Sequence, residues 1–429
     1  MTSLPSVLDI TKKLIAYPTI TPLESGIYEY IQSLLPDFHL LRMDKGGVRN
    51  LFLYKMPKHI ESTSPSNTTK AHSNRFANVL HLCFAGHIDV VPPGGVWEQD
   101  YQGKAGNQSS DIESPLDSKQ WKFHPFTPTL QDGYLYGRGA QDMKSGIACF
   151  IHAIREYLAM GLEQDFILSV LLTSDEEGEA LYGTKYVLEF LKQCNFIPTH
   201  CVVAEPTSNN IAGDVIKIGR RGSINGKIHI TGKQGHVAYP SKCINPVELL
   251  GERLGRLAGV NLDNGSKEFE PSKLVITDIR GGIEAVNVTP SDVRIMFNVR
   301  NSTQTTLDSL KKYLDHVLDG LPYTLELQQS AQSFLTTDTL FLEFLESNIA
   351  QSYQESAMTK DKTSITRSTS GGTSDARFFS AFGTNVAEVG VCNDRIHAIN
   401  ERVSLQDIER LQKIFRYVLC NFELFSRSK

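Results

Sequence analysis

The stretch FILSVLLTSDEEGE, Phe166 to Glu179, runs from an apolar core segment straight into three consecutive acids, Asp175, Glu176 and Glu177. Seven residues of this kind, bounded by a polar tip, read as a buried strand. Adjacent carboxylates at its end repel one another unless cations or water neutralise them. Two other stretches share this layout. NVLHLCFAGHIDVV (78–91) closes on His87 and Asp89, and THCVVAEPT (199–207) closes on Glu205 before a proline. Near-continuous apolar strands belong to a sheet covered on both faces. The segments between them have helical spacing: Val7–Ile15, Tyr28–Leu35, Ser145–Met160 with Gly161 placed to end it, and Tyr182–Gln193. Strands alternating with helices predict an α/β layer sandwich with a mixed sheet between helices.

From Arg221 the pattern changes. SINGKIHITGK (223–233) alternates with period two, as a half-exposed strand does. A helix (NPVELLGERLGRLAG), two strands (KLVITDIRGG and VRIMFNVR), a helix over 307–318 and a last strand give the order β-α-β-β-α-β. That order suits a small antiparallel α+β, ferredoxin-like sheet with helices on one face. The expected organisation is a discontinuous first domain, 1–221 plus 334–429, with a smaller domain inserted at 222–333. Two stretches, 58–75 and 99–120, are polar, rich in Ser and Asn and free of periodicity, and read as exposed loops. Their His59 and His72 read as solvated.

Composition excludes more than it selects. A chain of 429 residues with 40% hydrophobic and 21% charged residues has ample material for two cores. A net charge of −5 gives no footing for nucleic acid or an anionic membrane as partner. No apolar run reaches the length of a membrane span, and the first residues, with Lys12 and Lys13 in an amphipathic pattern, do not read as a secretion signal. Seven cysteines without a C-x-x-C pair, mostly within apolar segments, read as reduced core thiols of a cytoplasmic protein. No Gly-rich phosphate loop supports a nucleotide-dependent ligase, and no G-x-S-x-G elbow supports a serine nucleophile.

His87, Asp142, Glu177, Glu205 and His397 are five metal-type ligands at expected strand ends and turns. Two imidazoles and three carboxylates suffice for two close divalent ions if one carboxylate bridges them. Asp89, two residues after His87, falls on the same side of an extended chain and can support a ligating imidazole. It reads equally as an ordinary strand-end pair. Asp142, in GRGAQDMKSG, precedes the long helix and fits either capping or a ligand role. In the acidic string, Glu177 can hold metal while the adjacent Glu176 moves a proton. Alternatively the three acids form a solvated loop. His397, in NDRIHAINE, is reachable only through folding.

The strings HIDVVPPG, W-x-F-x-P-F (121–126), GYLYGRGAQDMKSG, LLTSDEEGEALYGT, AEPT, GRRGSINGKIHITGKQGHVAYP, NVTPSDVRIMFNVR, STSGGTSDARF and RIHAINERV resemble the dinuclear-zinc peptidase and deacylase family. That family includes aminoacylases and glutamate carboxypeptidases, and the resemblance covers nearly the whole chain apart from the two polar stretches. It implies a zinc-peptidase catalytic domain and metal-dependent amide hydrolysis. His87 and Glu205 would hold one Zn²⁺ and Glu177 and His397 the other, with Asp142 bridging and Co²⁺ or Mn²⁺ as substitutes. Glu176 would be the base, with Asp89 behind His87. The peptide after Asp142 would be cis. The inserted domain would serve dimerisation and closure, His236 reaching the site of the partner in a homodimer. GRRGS, SGGTSDARF and RIHAINE narrow the implied substrate to the succinyl amide of a small dicarboxylate on the route to lysine. By the same resemblance Arg220, Arg221, Ser223, Asn287, Arg300, Gly372, Thr373 and Asn393 would contact it. Another N-acyl-amino-acid deacylase, a metallocarboxypeptidase, or a non-catalytic metal-binding relative stays open at this point.

Overall fold

A computed structural model of the chain describes residues 5–58, 79–95, 120–355 and 364–427. The two polar stretches, with His59 and His72, fall outside the described residues except for Lys58 and Gln120. The chain divides into two units: Met1–Ile218 with Thr336–Arg367 and Ser374–Lys429, and Gly219–Leu335 with Ser368–Thr373.

The first unit is built on an eight-stranded mixed sheet. Its centre is His81–His87, flanked in parallel by Ile167–Thr173 and by His200–Val203, with every residue of the three strands buried. Asn385–Glu388 continues the parallel set beside His200–Val203, while Asn50–Lys55 and His39–Arg42 extend the other side antiparallel. Register is the property that matters for function. His87 lies opposite Thr173, and Ala85 opposite Val203, so the three parallel strands end together. The chemistry-bearing residues follow those ends: His87 itself, Glu176 and Glu177 just past Thr173, and Glu205 just past Val203. In open α/β sheets, ligands gather at the carboxyl ends of the strands.

Helices Ser145–Ala159 and Leu405–Arg427 pack on each other and on the sheet. Phe84, on the central strand, stacks with Phe150 at 5.6 Å and meets Phe415 edge-on at 5.3 Å. These three rings are fully buried. The first helix, Val7–Ile15, starts with a reciprocal cap between Ser6 and Asp9 and buries Ile10, Leu14 and Ile15. Met160 closes the Ser145 helix, and Gly161 follows with φ +67°. No helix among the described residues is long and apolar enough to cross a membrane.

The second unit has the strand order 273–281, 292–300, 223–231, 323–331, antiparallel throughout. Ile224, Ile228, Ile230, Val293, Ile295, Phe297 and Val299 form a core with Leu250, Leu310 and Leu314 of the helices Pro246–Leu254 and Leu307–Val317. Strand alternation thus places one sheet face under two helices, the α+β arrangement expected from the β-α-β-β-α-β order. All seven cysteines are free, yet only Cys83, Cys149 and Cys201 are core thiols; Cys194 is exposed and the others are half-buried. Cys194 ends the helix Thr184–Gln193, where local hydrophobicity no longer implies burial.

Gly146 lies where the Ser145 helix crosses the strand end before Glu205, and a Cβ there would collide with the Ala204 carbonyl and Cβ. Alanine normally stabilises a helix interior by about 1 kcal/mol over glycine. Gly146→Ala should instead cost about 1–3 kcal/mol in urea unfolding, as overpacking does. Unchanged or raised stability would show that the contact is soft.

Candidate metal centre

His87 ends the central strand and is fully buried. Its Nδ1 lies 2.8 Å from the main-chain carbonyl of Asp89, an acceptor only, so Nδ1 carries a proton and Nε2 is the nitrogen turned toward the acids. Nε2 is 3.1 Å from Oδ1 of Asp142 and 3.7 Å from Oε1 of Glu205. On the other side of Asp142, Oδ2 lies 3.3 Å from Nε2 of His397, which is also 2.8 Å from Oε1 of Glu177. Asp142 therefore stands between the two imidazoles with one oxygen toward each. Ligand atoms of His87, Asp142 and Glu205 lie within 4.8 Å of one another, as do those of Asp142, Glu177 and His397. His87, Glu176 and Glu177 form a third such group.

Asp142 sits in a turn, 140–144, whose dihedrals are not helical at Asp142 and Met143, just before the helix Ser145–Ala159. Gly139 opens the turn at φ +82°, a region open to glycine at little cost. The Asp142–Met143 peptide is cis. Lys144 is fully buried below, its ammonium donating to the Tyr17 carbonyl at 2.8 Å; burial draws its pKa down to about 7.

Asp89 stands behind His87 through its main chain. Its carbonyl, not its carboxylate, meets His87 at hydrogen-bond distance; the carboxylate stays 3.7 Å from the ring. That carboxylate accepts instead from Thr21 Oγ1 at 2.8 Å and from the amides of Glu177 and Glu176 at 3.2 and 3.4 Å. Asp89 thus links the His87 strand end to the acidic loop. Burial pushes its pKa up to about 6 despite these donors.

The electrostatics are those of buried negative charge seeking a counter-charge. Burial raises the pKa of Glu205 and of Glu176 well above the carboxylate range, and neighbouring acids add to it. Burial opposes protonation of His87, yet Asp142, Glu205 and Glu176 together hold its pKa well above the usual value. Hydrogen bonds to Asp142 and Glu177 hold His397 up at about 10. One oxygen of Glu205 is buried with no hydrogen-bond partner, a costly state for a carboxylate. A divalent cation answers each of these conditions, and an all-oxygen-and-nitrogen donor set suits Zn²⁺, Co²⁺ or Mn²⁺. The residues fit such ions.

Two buried charged residues beside the site carried no flag in the sequence. Glu401, fully buried, accepts from Arg138 Nη1 at 2.8 Å and from the amides of Gly139, Gln141 and Asp142 at 3.0, 2.8 and 3.1 Å. Both lie inside quoted strings, GRG and RIHAINE; the available signal was a charge embedded between glycines or beside a ligand histidine.

The expected substrate residues divide between the two units. Asn393 belongs to the first, its amide donating to Ser208. In the second unit, Arg220 is buried and donates to the Ser370 carbonyl at 3.2 Å, in a segment that also carries Gly372 and Thr373. Arg221, Lys273, Asn298 and Arg300 line a cavity of about 460 Å³ with Glu270. Ser223 accepts from Asn298 at 3.0 Å. Asn287 and His236 are exposed, and the chain around His236 bridges to Val288.

The model for peptidase family M20/M25/M40 matches residues 83–421. A succinyl-diaminopimelate desuccinylase of Helicobacter pylori is 48% identical over 412 residues, covering 96% of this chain and 98% of its own. One from Wolinella succinogenes is 50% identical over 410 residues with the same coverage. Among solved structures, aminopeptidase PepT of Bacillus cereus superposes with a TM-score of 0.68 at 16% identity, covering 99% of this chain and 98% of its own. A dinuclear metal-binding peptidase of the M20 family from Bacillus subtilis gives 0.63 at 12% identity, covering 97% and 98%. At these identities the structures speak for the fold alone.

Asp142 is common to the groups His87–Asp142–Glu205 and Asp142–Glu177–His397, whereas Glu205 belongs only to the first of these two and Glu177 only to the second. Calorimetric titration with Zn²⁺ should therefore show Asp142→Asn losing affinity at every ion bound. Glu205→Gln should lose it at one only. Equal behaviour of the two variants would contradict the shared-carboxylate geometry.

Proposed function

This chain belongs to peptidase family M20/M25/M40, and on that premise we propose that it hydrolyses the amide of N-succinyl-LL-diaminopimelate to succinate and LL-diaminopimelate. The single observation that carries the reading is the convergence of His87, Asp142, Glu177, Glu205 and His397 into two groups sharing Asp142, in a chain half identical to desuccinylases over nearly its whole length. His87 and Glu205 would hold one ion, Glu177 and His397 the other, and Asp142 both; the ion we propose is Zn²⁺. When bound, such ions supply Lewis acidity toward the amide carbonyl and favour ionisation of water.

The chain's own residues do the rest. Glu176 is adjacent to Glu177, its amide tied to Asp89, and it lies in a group with His87 rather than with Asp142. It takes a proton from the attacking water and passes it to the leaving nitrogen as the C–N bond breaks. The hydroxyl goes to the succinyl carbon and the proton to the amine, so atoms balance. His87 is oriented by the Asp89 carbonyl, and Asp89 holds Glu176 and Glu177 in place through their amides.

The substrate carries carboxylates at both ends, and planar guanidinium groups recognise carboxylates with two parallel hydrogen bonds. Arg221 and Arg300, with Lys273 in one cavity, supply positive charge of that kind, and Arg220, Ser223, Asn287, Gly372, Thr373 and Asn393 complete the proposed contacts. A homodimer is proposed through the second unit, where Val275 on the edge strand 273–281 and Met296 on the adjacent strand 292–300 are exposed apolar side chains. His236 would then assist the reaction in the partner's site. A place in the cytoplasm fits this biosynthetic role.

Glu176→Gln should retain metal while turnover falls by a factor of roughly 10² or more, as for loss of a general base. Succinate release and metal content on the same preparation check it. His236→Ala should lower turnover with metal content unchanged. Faster hydrolysis of N-acetyl amino acids or of peptides than of the succinyl compound would overturn the substrate assignment.

A further inference from the structure

We infer that Glu401 and Arg138 are a positioning pair that sets the spacing of Asp142 and His397, and through it the metal affinity of the centre; this rests on the metal-dependent reading above. Glu401 is fully buried and four residues beyond His397, while Arg138 is four residues before Asp142. The two meet across 263 residues of sequence at 2.8 Å.

Each end of the pair has a defined task. The Glu401 carboxylate takes the amides of Gly139, Gln141 and Asp142, three donors of a turn that is not helical and so cannot satisfy them internally. One oxygen, Oε1, receives both Gln141 and Asp142. Arg138, held at Nη1 by Glu401, sends Nη2 to the carbonyl of Pro93 at 2.9 Å and toward the carbonyl of His397 at 3.4 Å. Its guanidinium also lies 5.2 Å from the ring centre of Trp121, whose Nε1 donates to the same Pro93 carbonyl at 3.1 Å. His397 itself has φ +60°, a conformation that L-residues adopt at a cost and that needs external restraint. Gln141 adds a second tie between the two segments, donating to Asp394 at 2.6 Å and accepting from the Arg395 amide at 2.8 Å.

The consequence is mechanical. Asp142 must offer one oxygen to each imidazole, and His397 approaches on a loop far from the turn in sequence. A carboxylate that binds the turn's amides and an arginine that binds the loop's carbonyl fix both partners to one ion pair. A lone turn and a lone loop would each need to be ordered by the metal. Outer residues that orient metal ligands change affinity by roughly 10- to 100-fold when altered.

The test uses the full chain, freed of metal with a chelator and titrated calorimetrically with Zn²⁺ and Co²⁺. Glu401→Gln keeps the shape but turns an amide NH₂ toward two of the four donors, so metal affinity should fall roughly 10- to 100-fold. The visible absorption bands of the Co²⁺-loaded protein should shift, while KM for the succinyl substrate stays within about twofold. A residue that merely stabilises the fold would leave the Co²⁺ spectrum of the folded protein unchanged. Arg138→Lys keeps the charge and gives up one outgoing contact; it should show a smaller loss in the same direction, and it carries the test where E401Q does not fold. A folded variant with unaltered affinity and spectrum overturns the pairing. An unaltered chain that binds no metal overturns instead the functional reading on which the pairing rests.

Discussion

The carboxylate of Asp142 faces two imidazoles, 3.1 Å from His87 and 3.3 Å from His397, and nearly every unusual feature nearby serves that placement. One imidazole comes from the central strand and the other from a loop 310 positions later. The non-helical turn at 140–144 lets the carboxylate project between them and leaves amides that the helix cannot use. Glu401 receives those amides. A site with a shared ligand depends on a single side chain's position more than a site with separate ligands does.

Register in the parallel sheet brings the remaining groups to the same edge. Because His87, Thr173 and Val203 lie at neighbouring strand ends, the residues that follow need only a few positions of loop to converge. Full burial of those strands makes a slip in register expensive, since it would redirect every side chain to the opposite face. The price of bringing Asp142, Glu176, Glu177 and Glu205 together is electrostatic. Burial and mutual repulsion raise the pKa of Glu176 and Glu205, and the His87 imidazole answers only part of that charge. The fold keeps the acids in place through the central sheet and its helices, so the geometry is prepared for divalent cations before any is bound.

Much of this was legible in the sequence. Apolar runs ending in His87, Glu177 and Glu205 marked the strand ends because a strand buried on both faces leaves a continuous hydrophobic signature. Period-two alternation likewise announced the antiparallel sheet of the second unit. What stayed hidden depended on contacts across the chain. Nothing local tells that the Asp89 carboxylate serves Thr21 and the acidic loop rather than His87, since that depends on where residue 21 arrives. Arg138 and Glu401 are partners only after folding, and each alone looks like a surface charge. Segment 368–373 groups with the second unit through contacts such as Arg220 to Ser370, invisible as a boundary in a Ser/Gly-rich string.

The central claim is that Asp142 is the one ligand common to two ions. Anomalous X-ray diffraction at the zinc edge, on crystals of the zinc-loaded chain, tests it most directly. The account predicts two peaks on opposite sides of the Asp142 carboxylate, one beside His87 and Glu205 and the other beside Glu177 and His397. A single peak, or a second one bound by Glu176 away from Asp142, would contradict it.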